Sequence, residues 1–245
     1  MMSDLMRYSR QIVLREVGVN GQELLRDSSV LVIGLGGLGS TAASHLAGAG
    51  IGRLLLCDRD RVELSNLQRQ VLYRQSDVGR AKTVAAAAQL AALNRDVEIE
   101  TFDADDGLAA VRDADIVLDC TDNFPARYAI NAACVAARRP LVSGAAIRFE
   151  GQLAVFDPSR GGACYRCLYA DDGEAAETCE EAGILGPVVA TVGSLQALAA
   201  IKWLLGRRDD AGTLTTWDAL RMQWRTHRIP ADPDCPVCGT SHRGE

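Results

Sequence analysis

A short apolar run that breaks into glycines at residues 30–39 restricts the possible folds more than any other stretch. Val30-Leu31-Val32-Ile33 is β-branched or leucine throughout, which suits a parallel strand covered on both faces. Gly34, Gly36 and Gly39 follow with G-x-G-x-x-G spacing, and Gly37 adds a fourth glycine. Without side chains there, backbone N–H groups can approach a phosphate at the positive end of a helix that begins near Leu38. Asp58 closes the next apolar run, Leu54-Leu55-Leu56-Cys57. That is roughly where the ribose-binding acid of a Rossmann unit falls. The stretch predicts a nucleotide site without choosing the nucleotide.

Further runs read as strands at Arg53–Asp58, Val97–Phe102, Asp115–Cys120 and Leu141–Ala146. Alanine-rich helical stretches lie between them: Ser40–Ala49, a segment opened by Gly79-Arg80-Ala81-Lys82 and ended by Asn94, and one starting near Pro125. The alternation predicts an α/β, Rossmann-like, doubly wound, mainly parallel sheet. Gly151–Phe156 reads as an antiparallel extension, and Leu214–Trp217 with Gln223–Ile229 as a terminal strand pair. Between them, Gly186-Pro187 opens a helix from Val188 to Leu205 that Gly206 stops. One domain over 1–245 is expected, with a nucleotide-binding part at about 1–157 and a second part at about 158–245. In such sheets ligands bind beyond the carboxyl ends of the strands, so Gly34–Gly39, Asp58 and Asp122-Asn123 should converge on one pocket.

Net charge is −6 with Lys and Arg scattered, which argues against a general nucleic-acid or anionic-membrane surface. No apolar run reads as long enough to span a bilayer and no signal-peptide core opens the chain, so a cytoplasmic protein is expected. Eight cysteines include two pairs, Cys164-Tyr165-Arg166-Cys167 and Cys235-Pro236-Val237-Cys238. In a reducing compartment such pairs suggest a tetrahedral thiolate zinc site tying the C-terminal part back to the middle of the chain. The alternative is a redox pair and a chance pair. Cys57, Cys120 and Cys134 lie in apolar runs and read as small core residues.

An ATP site needs a phosphate cradle, positive charge and a carboxylate for Mg²⁺. The glycine turn offers the cradle, Arg69 and Lys82 the charge, and Asp122 the carboxylate. Each has a plainer alternative: surface charge for Arg69 and Lys82, a helix N-cap for Asp122. No Walker lysine follows the glycines, and the three histidines suggest no catalytic partners. Arg7 and Arg10 can share one helical face, or simply mark a solvated arm.

Arg7-Tyr8-Ser9-Arg10-Gln11, the glycine turn, Leu64-Ser65-Asn66-Leu67-Gln68-Arg69-Gln70, Asp119-Cys120-Thr121-Asp122-Asn123 and both cysteine pairs occur in this order. Together they resemble the MoeB/ThiF family of sulfur-carrier adenylyltransferases, relatives of ubiquitin-activating enzymes, over essentially the whole chain. The resemblance implies ATP held by Gly34, Gly36, Gly37, Gly39, Asp58, Ser65, Asn66, Leu67, Gln68, Arg69, Lys82, Asp122 and Asn123. It implies Mg²⁺ on Asp122 and Zn²⁺ on Cys164, Cys167, Cys235 and Cys238. The substrate would be a ubiquitin-like carrier whose C-terminal Gly-Gly carboxylate attacks the α-phosphate, giving an acyl-adenylate and pyrophosphate. The later part of the chain would bind that carrier. A homodimer is implied, with Arg10 reaching the neighbour's nucleotide.

Cys179 follows Glu177-Thr178 and matches a cysteine that some relatives use for a thioester or persulfide link. Its acidic neighbours Glu174, Glu177, Glu180 and Glu181 should blunt it at rest, and an unreactive loop cysteine is the alternative. The stretch Val142–Gln152 and Glu177-Thr178-Cys179 lean to the MoaD carrier of molybdopterin biosynthesis. The start Leu5–Arg10, Leu46–Gly50 and Cys235–Cys238 lean to the thiamin carrier ThiS, a close second. Sulfur is expected from another protein, such as a cysteine desulfurase or rhodanese. Competing readings are an NAD-dependent dehydrogenase, an ATP-dependent tRNA-modifying dehydratase of the same superfamily, and a zinc scaffold without activity.

Overall fold

In the computed structural model, residues 6–169 and 182–239 are described. Eight strands form one sheet: β1 Ser29–Ile33, β2 Arg53–Cys57, β3 Glu98–Phe102, β4 Ile116–Asp119, β5 Leu141–Ile147, β6 Glu150–Phe156, β7 Thr213–Asp218 and β8 Gln223–Arg228. Their spatial order is β3-β2-β1-β4-β5-β6-β7-β8. The first five are parallel, and β6, β7 and β8 join antiparallel. The chain leaves β1 toward β2 on one side and later returns to β4 on the other. This reversal opens a crevice at the carboxyl ends of β1 and β4.

The central strands are apolar on both sides because helices cover both sides. Alternate residues of β1 serve different cores: Val30 and Val32 pack with Leu46, Leu54 and Leu90, whereas Leu31 and Ile33 pack with Ile130, Phe156 and Tyr165. That two-residue period follows from strand geometry. Each large side chain so enclosed contributes roughly 1.5–3 kcal/mol of transfer free energy. Helices Gly37–Ala49, Lys82–Leu93 and Gly186–Leu204 supply residues to the first core, and Phe124–Ala137 to the second. Strand β3, at the sheet's edge, has no buried position.

Several expectations need correction. Gly186–Leu204 is long and apolar enough by length and composition to cross a membrane, contrary to the sequence reading. Half of its apolar window is buried, and it packs on the Gly37–Ala49 helix and the sheet. Its polar Gln196 is fully buried, donating to the backbone oxygens of Asp119 (2.7 Å) and Val142 (3.3 Å). The N-terminal segment is not a solvated arm. Tyr8 is buried and its hydroxyl accepts from Asn94 Nδ2 at 2.8 Å, while Gln11 Nε2 donates to Ala49 O at 2.8 Å. A helix at Gly18–Arg26 and a short one at Ala104–Ala109 were not anticipated.

Candidate functional site: the glycine turn, its neighbours and a four-cysteine cluster

The glycines divide the work of the turn. Gly34 has φ +91°, and a Cβ there would meet Cys120 O at 2.7 Å. A Cβ on Gly39 would lie 1.8 Å from Gly34 O, and one on Gly37 would strike Val189 at 2.8 Å. These three let strand, helix and neighbours approach closely. Gly36 differs: a Cβ there would meet only Gln70 Nε2, at 3.8 Å. The backbone at Gly36 therefore has room for a phosphate, at the N-cap of Gly37–Ala49.

Asp58 reaches this turn. Its Oδ2 accepts from Leu35 N–H at 2.6 Å and its Oδ1 from Asp60 N–H at 2.7 Å. At the same residue, Tyr73 donates its hydroxyl to Leu35 O at 2.8 Å. Lys82 is buried beside this corner, and its Nζ donates to Asp60 Oδ2 at 2.9 Å.

The polar run after β2 lies against the glycines, as Gly37 and Gly36 approach Arg69 O and Gln70 Nε2. Leu64–Asn66 is a 3-10 turn, with Asn66 buried and its Oδ1 accepting from Glu63 N–H at 3.2 Å. Asn66 O accepts from the N–H groups of Arg69 and Gln70, and the Arg69 guanidinium donates to Ser65 O at 3.1 Å. Ser65 and Gln68 are exposed, and Leu67 packs partly buried on the core. Gln70 is buried and its Oε1 has no hydrogen-bond partner among the described residues.

At the end of β4, Asp122 is exposed. The helix N-cap is Asn123 rather than Asp122: Asn123 Oδ1 accepts from Ala126 N–H at 3.0 Å. Asn123 Nδ2 donates to Asp122 Oδ1 at 3.3 Å. The loop is held from below by groups that sequence reasoning did not select. Asp119 is fully buried, accepting from Thr121 N–H and Oγ1 and from Ser143 Oγ. Arg127 donates to Thr121 O at 2.5 Å and Gly144 O at 3.0 Å. Burial disfavours its charge, but Asp119 and the Tyr165 hydroxyl outweigh that and hold its pKa above the ordinary value. The available signal was one arginine in a mostly apolar helix.

Cys164, Cys167, Cys235 and Cys238 come together, all four sulfurs within 4.8 Å of one another. Cys164 and Cys235 sulfurs are 3.7 Å apart, and those of Cys167 and Cys238 3.4 Å. Sulfurs placed tetrahedrally about 2.3 Å from one zinc ion would be about 3.8 Å apart, so the set fits that metal. Cys57, Cys120 and Cys134 are buried, and burial pushes the Cys57 thiol up to about 12. Arg10 is exposed on the Ser9–Ile12 helix. Cys179 lies outside the described residues.

The profile described as "ThiF family" matches residues 8–237. A sulfur carrier protein ThiS adenylyltransferase of Escherichia coli (strain K12) is 48% identical over 243 residues, 98% of this chain and 97% of that protein. A molybdopterin-synthase adenylyltransferase of the same strain is 48% identical over 241 residues, 96% of this chain and 97% of that protein. Among solved structures, E. coli MccB with ATP superposes with TM-score 0.81 at 25% identity, covering 95% of this chain and 74% of that one. Spanned by the family profile and matched along nearly its whole length by these relatives, the chain belongs to the ThiF family.

Proposed function

We propose that the protein uses ATP and Mg²⁺ to adenylate the C-terminal glycine of a small ubiquitin-like sulfur-carrier protein. The observation that carries the reading is the convergence at the carboxyl ends of β1 and β4. There an open glycine backbone at Gly36, the Asp58 carboxylate, the Asn66–Gln70 segment and the loop bearing Asp122 meet. Relatives named for this activity are 48% identical along almost the whole chain.

The chemistry follows from these groups. The glycine turn receives the phosphates, and Asp58, already ordered by Leu35 N–H, faces the ribose. Asp122 would hold Mg²⁺, which when bound would neutralise triphosphate charge. Arg69 turns from Ser65 O, and Lys82 exchanges Asp60 for phosphate oxygen. Ser65, Asn66, Leu67, Gln68 and Asn123 complete the walls. A carrier carboxylate oxygen bonds to the α-phosphorus while the α–β bridging oxygen leaves with its electron pair as pyrophosphate. The attacking carboxylate is ionised, so no general base is required. What must be supplied is in-line placement and charge compensation.

In this reading the enzyme is a cytoplasmic homodimer and Arg10 completes the partner's nucleotide site. The carrier docks on the later part of the chain, about 158–245, and Cys164, Cys167, Cys235 and Cys238 bind zinc. Sulfur comes from a separate donor, a cysteine desulfurase or rhodanese. A MoaD-type carrier is preferred to a ThiS-type one on the motifs at 142–152, although identity is 48% to relatives named for each role. The test is pyrophosphate exchange into ATP with MoaD and ThiS side by side. Exchange with either carrier supports adenylation. Absence of exchange with both, together with NAD binding, would replace the reading by a dehydrogenase.

A further inference from the structure

The four-cysteine cluster and the Asp122 loop are joined by one helix, Phe124–Ala137. At its start Asn123 caps the helix and touches Asp122. One turn later Arg127 holds Thr121 O and Gly144 O. One turn later again stands Asn131, 1% exposed. Its Oδ1 accepts from Tyr165 N–H at 2.9 Å, and its Nδ2 is 3.5 Å from Cys164 Sγ, as a donor to it. The Tyr165 side chain also lies near Arg127 and helps raise the pKa of its guanidinium. Positions 127 and 131 are four residues apart and share a helix face. That face grips the Cys164-Tyr165 dipeptide at two points and the backbone beside Asp122 at a third.

A buried asparagine can serve merely to satisfy backbone groups. Here only its Oδ1 does so, while its amide donor is directed at a sulfur of the metal-type cluster. Donors to metal-bound ligands fix their orientation and alter metal affinity. We propose that Asn131 is a positioning residue that couples zinc occupancy of the four-cysteine cluster to Mg·ATP binding at the Asp122 loop. The nucleotide half of this proposal rests on the adenylation reading. With zinc bound, Cys164 and Tyr165 are fixed, Asn131 is fixed through its bonds to both, and Arg127 on the same helix face is held against Thr121 O. Without zinc the dipeptide is free to shift and the loop loses its support. Linkage makes the effect reciprocal, so bound nucleotide must retain zinc.

The test uses the zinc-loaded full chain and a colorimetric chelator, with and without Mg²⁺ and a non-hydrolysable ATP analogue. Calorimetry measures binding of the same nucleotide separately. Nucleotide should slow zinc release about fivefold or more, the lower end of usual coupling factors. Asn131→Leu should abolish that protection ratio. Asn131→Asp keeps the acceptor for Tyr165 N–H but cannot donate to sulfur, and should abolish it too. General destabilisation would speed release equally with and without nucleotide, leaving the ratio unchanged. Equal zinc release from the parent protein in both conditions, despite measured nucleotide binding, overturns the coupling alone. Full protection in both variants overturns the role of Asn131. Absence of nucleotide binding to the parent protein overturns the adenylation reading and the coupling with it.

Discussion

Leu35 and Asp58 are joined by a hydrogen bond of 2.6 Å, from the backbone N–H in the glycine turn to the carboxylate at the end of β2. The acid expected to meet a ribose therefore also fixes the loop expected to meet the phosphates. Asp58→Asn should raise the KM for ATP about tenfold or more. It should also cost roughly 1–3 kcal/mol of stability, the range for disturbing a charged hydrogen bond. Steady-state kinetics and denaturant titration test this pair of effects, and an unchanged KM would remove Asp58 from the nucleotide site.

Asp122 contrasts with Asp58 because its side chain is exposed and the helix cap is Asn123. Asp122→Asn should abolish pyrophosphate exchange while shifting stability by no more than about 0.5 kcal/mol, as for other surface changes. Retained exchange would mean that another group holds the magnesium.

Cys164→Ser should release zinc and lower the melting temperature by many degrees, because metal binding at a structural cysteine site contributes directly to folding. Metal analysis and calorimetry read the two effects together. A variant retaining both its zinc and its melting point would refute the metal site.

Cys179→Ala should leave the adenylation step intact, since no thiol takes part in carboxylate attack on the α-phosphate. The measurement is pyrophosphate exchange at saturating carrier. Loss of exchange would give Cys179 a part in the ATP chemistry.

Asp77 gives the fold an acid-sensitive point. Burial raises its pKa, but hydrogen bonds from Arg74 N–H, Gln89 and Arg80 outweigh burial and set it below the ordinary value. A depressed carboxylate contributes stability that is present above its unfolded pKa of about 3.9 and is lost as pH falls through the lower folded value. Asp77→Asn should therefore weaken the protein at neutral pH and flatten its stability profile below about pH 4. A profile parallel to that of the parent chain would exclude this role.

The readable parts of the molecule are those in which local pattern and tertiary role coincide. Val30–Ile33 is apolar because it is enclosed on both sides, and Gly34 and Gly39 are glycine because Cys120 O and Gly34 O stand where side chains would be. The two cysteine pairs announced each other by equal spacing. Asp119, Arg127, Asn131 and Gln196 were not selected, because their importance comes from burial that spacing does not reveal. Each is a polar residue in an apolar surround, and each binds groups distant in the chain. Asn94, read only as a helix stop, also secures Tyr8 and Ala47 O. The Gly18–Arg26 helix carries little local signal because its apolar residues are few, with Leu25 the deeply buried one.

Cys164 and Cys235 stand 71 positions apart, so an ion gripped by both makes a closed ring of the intervening chain. That ring contains the long apolar helix and the last two strands. By the loop-entropy rule for covalent links, a ring of this size removes about 4 kcal/mol of freedom from the unwound polymer. Those strands cannot drift away from the body of the molecule while the ring stays shut. Chelation should therefore unravel the antiparallel flank first and leave the parallel half standing, a sequence of events that residue-resolved hydrogen exchange can follow.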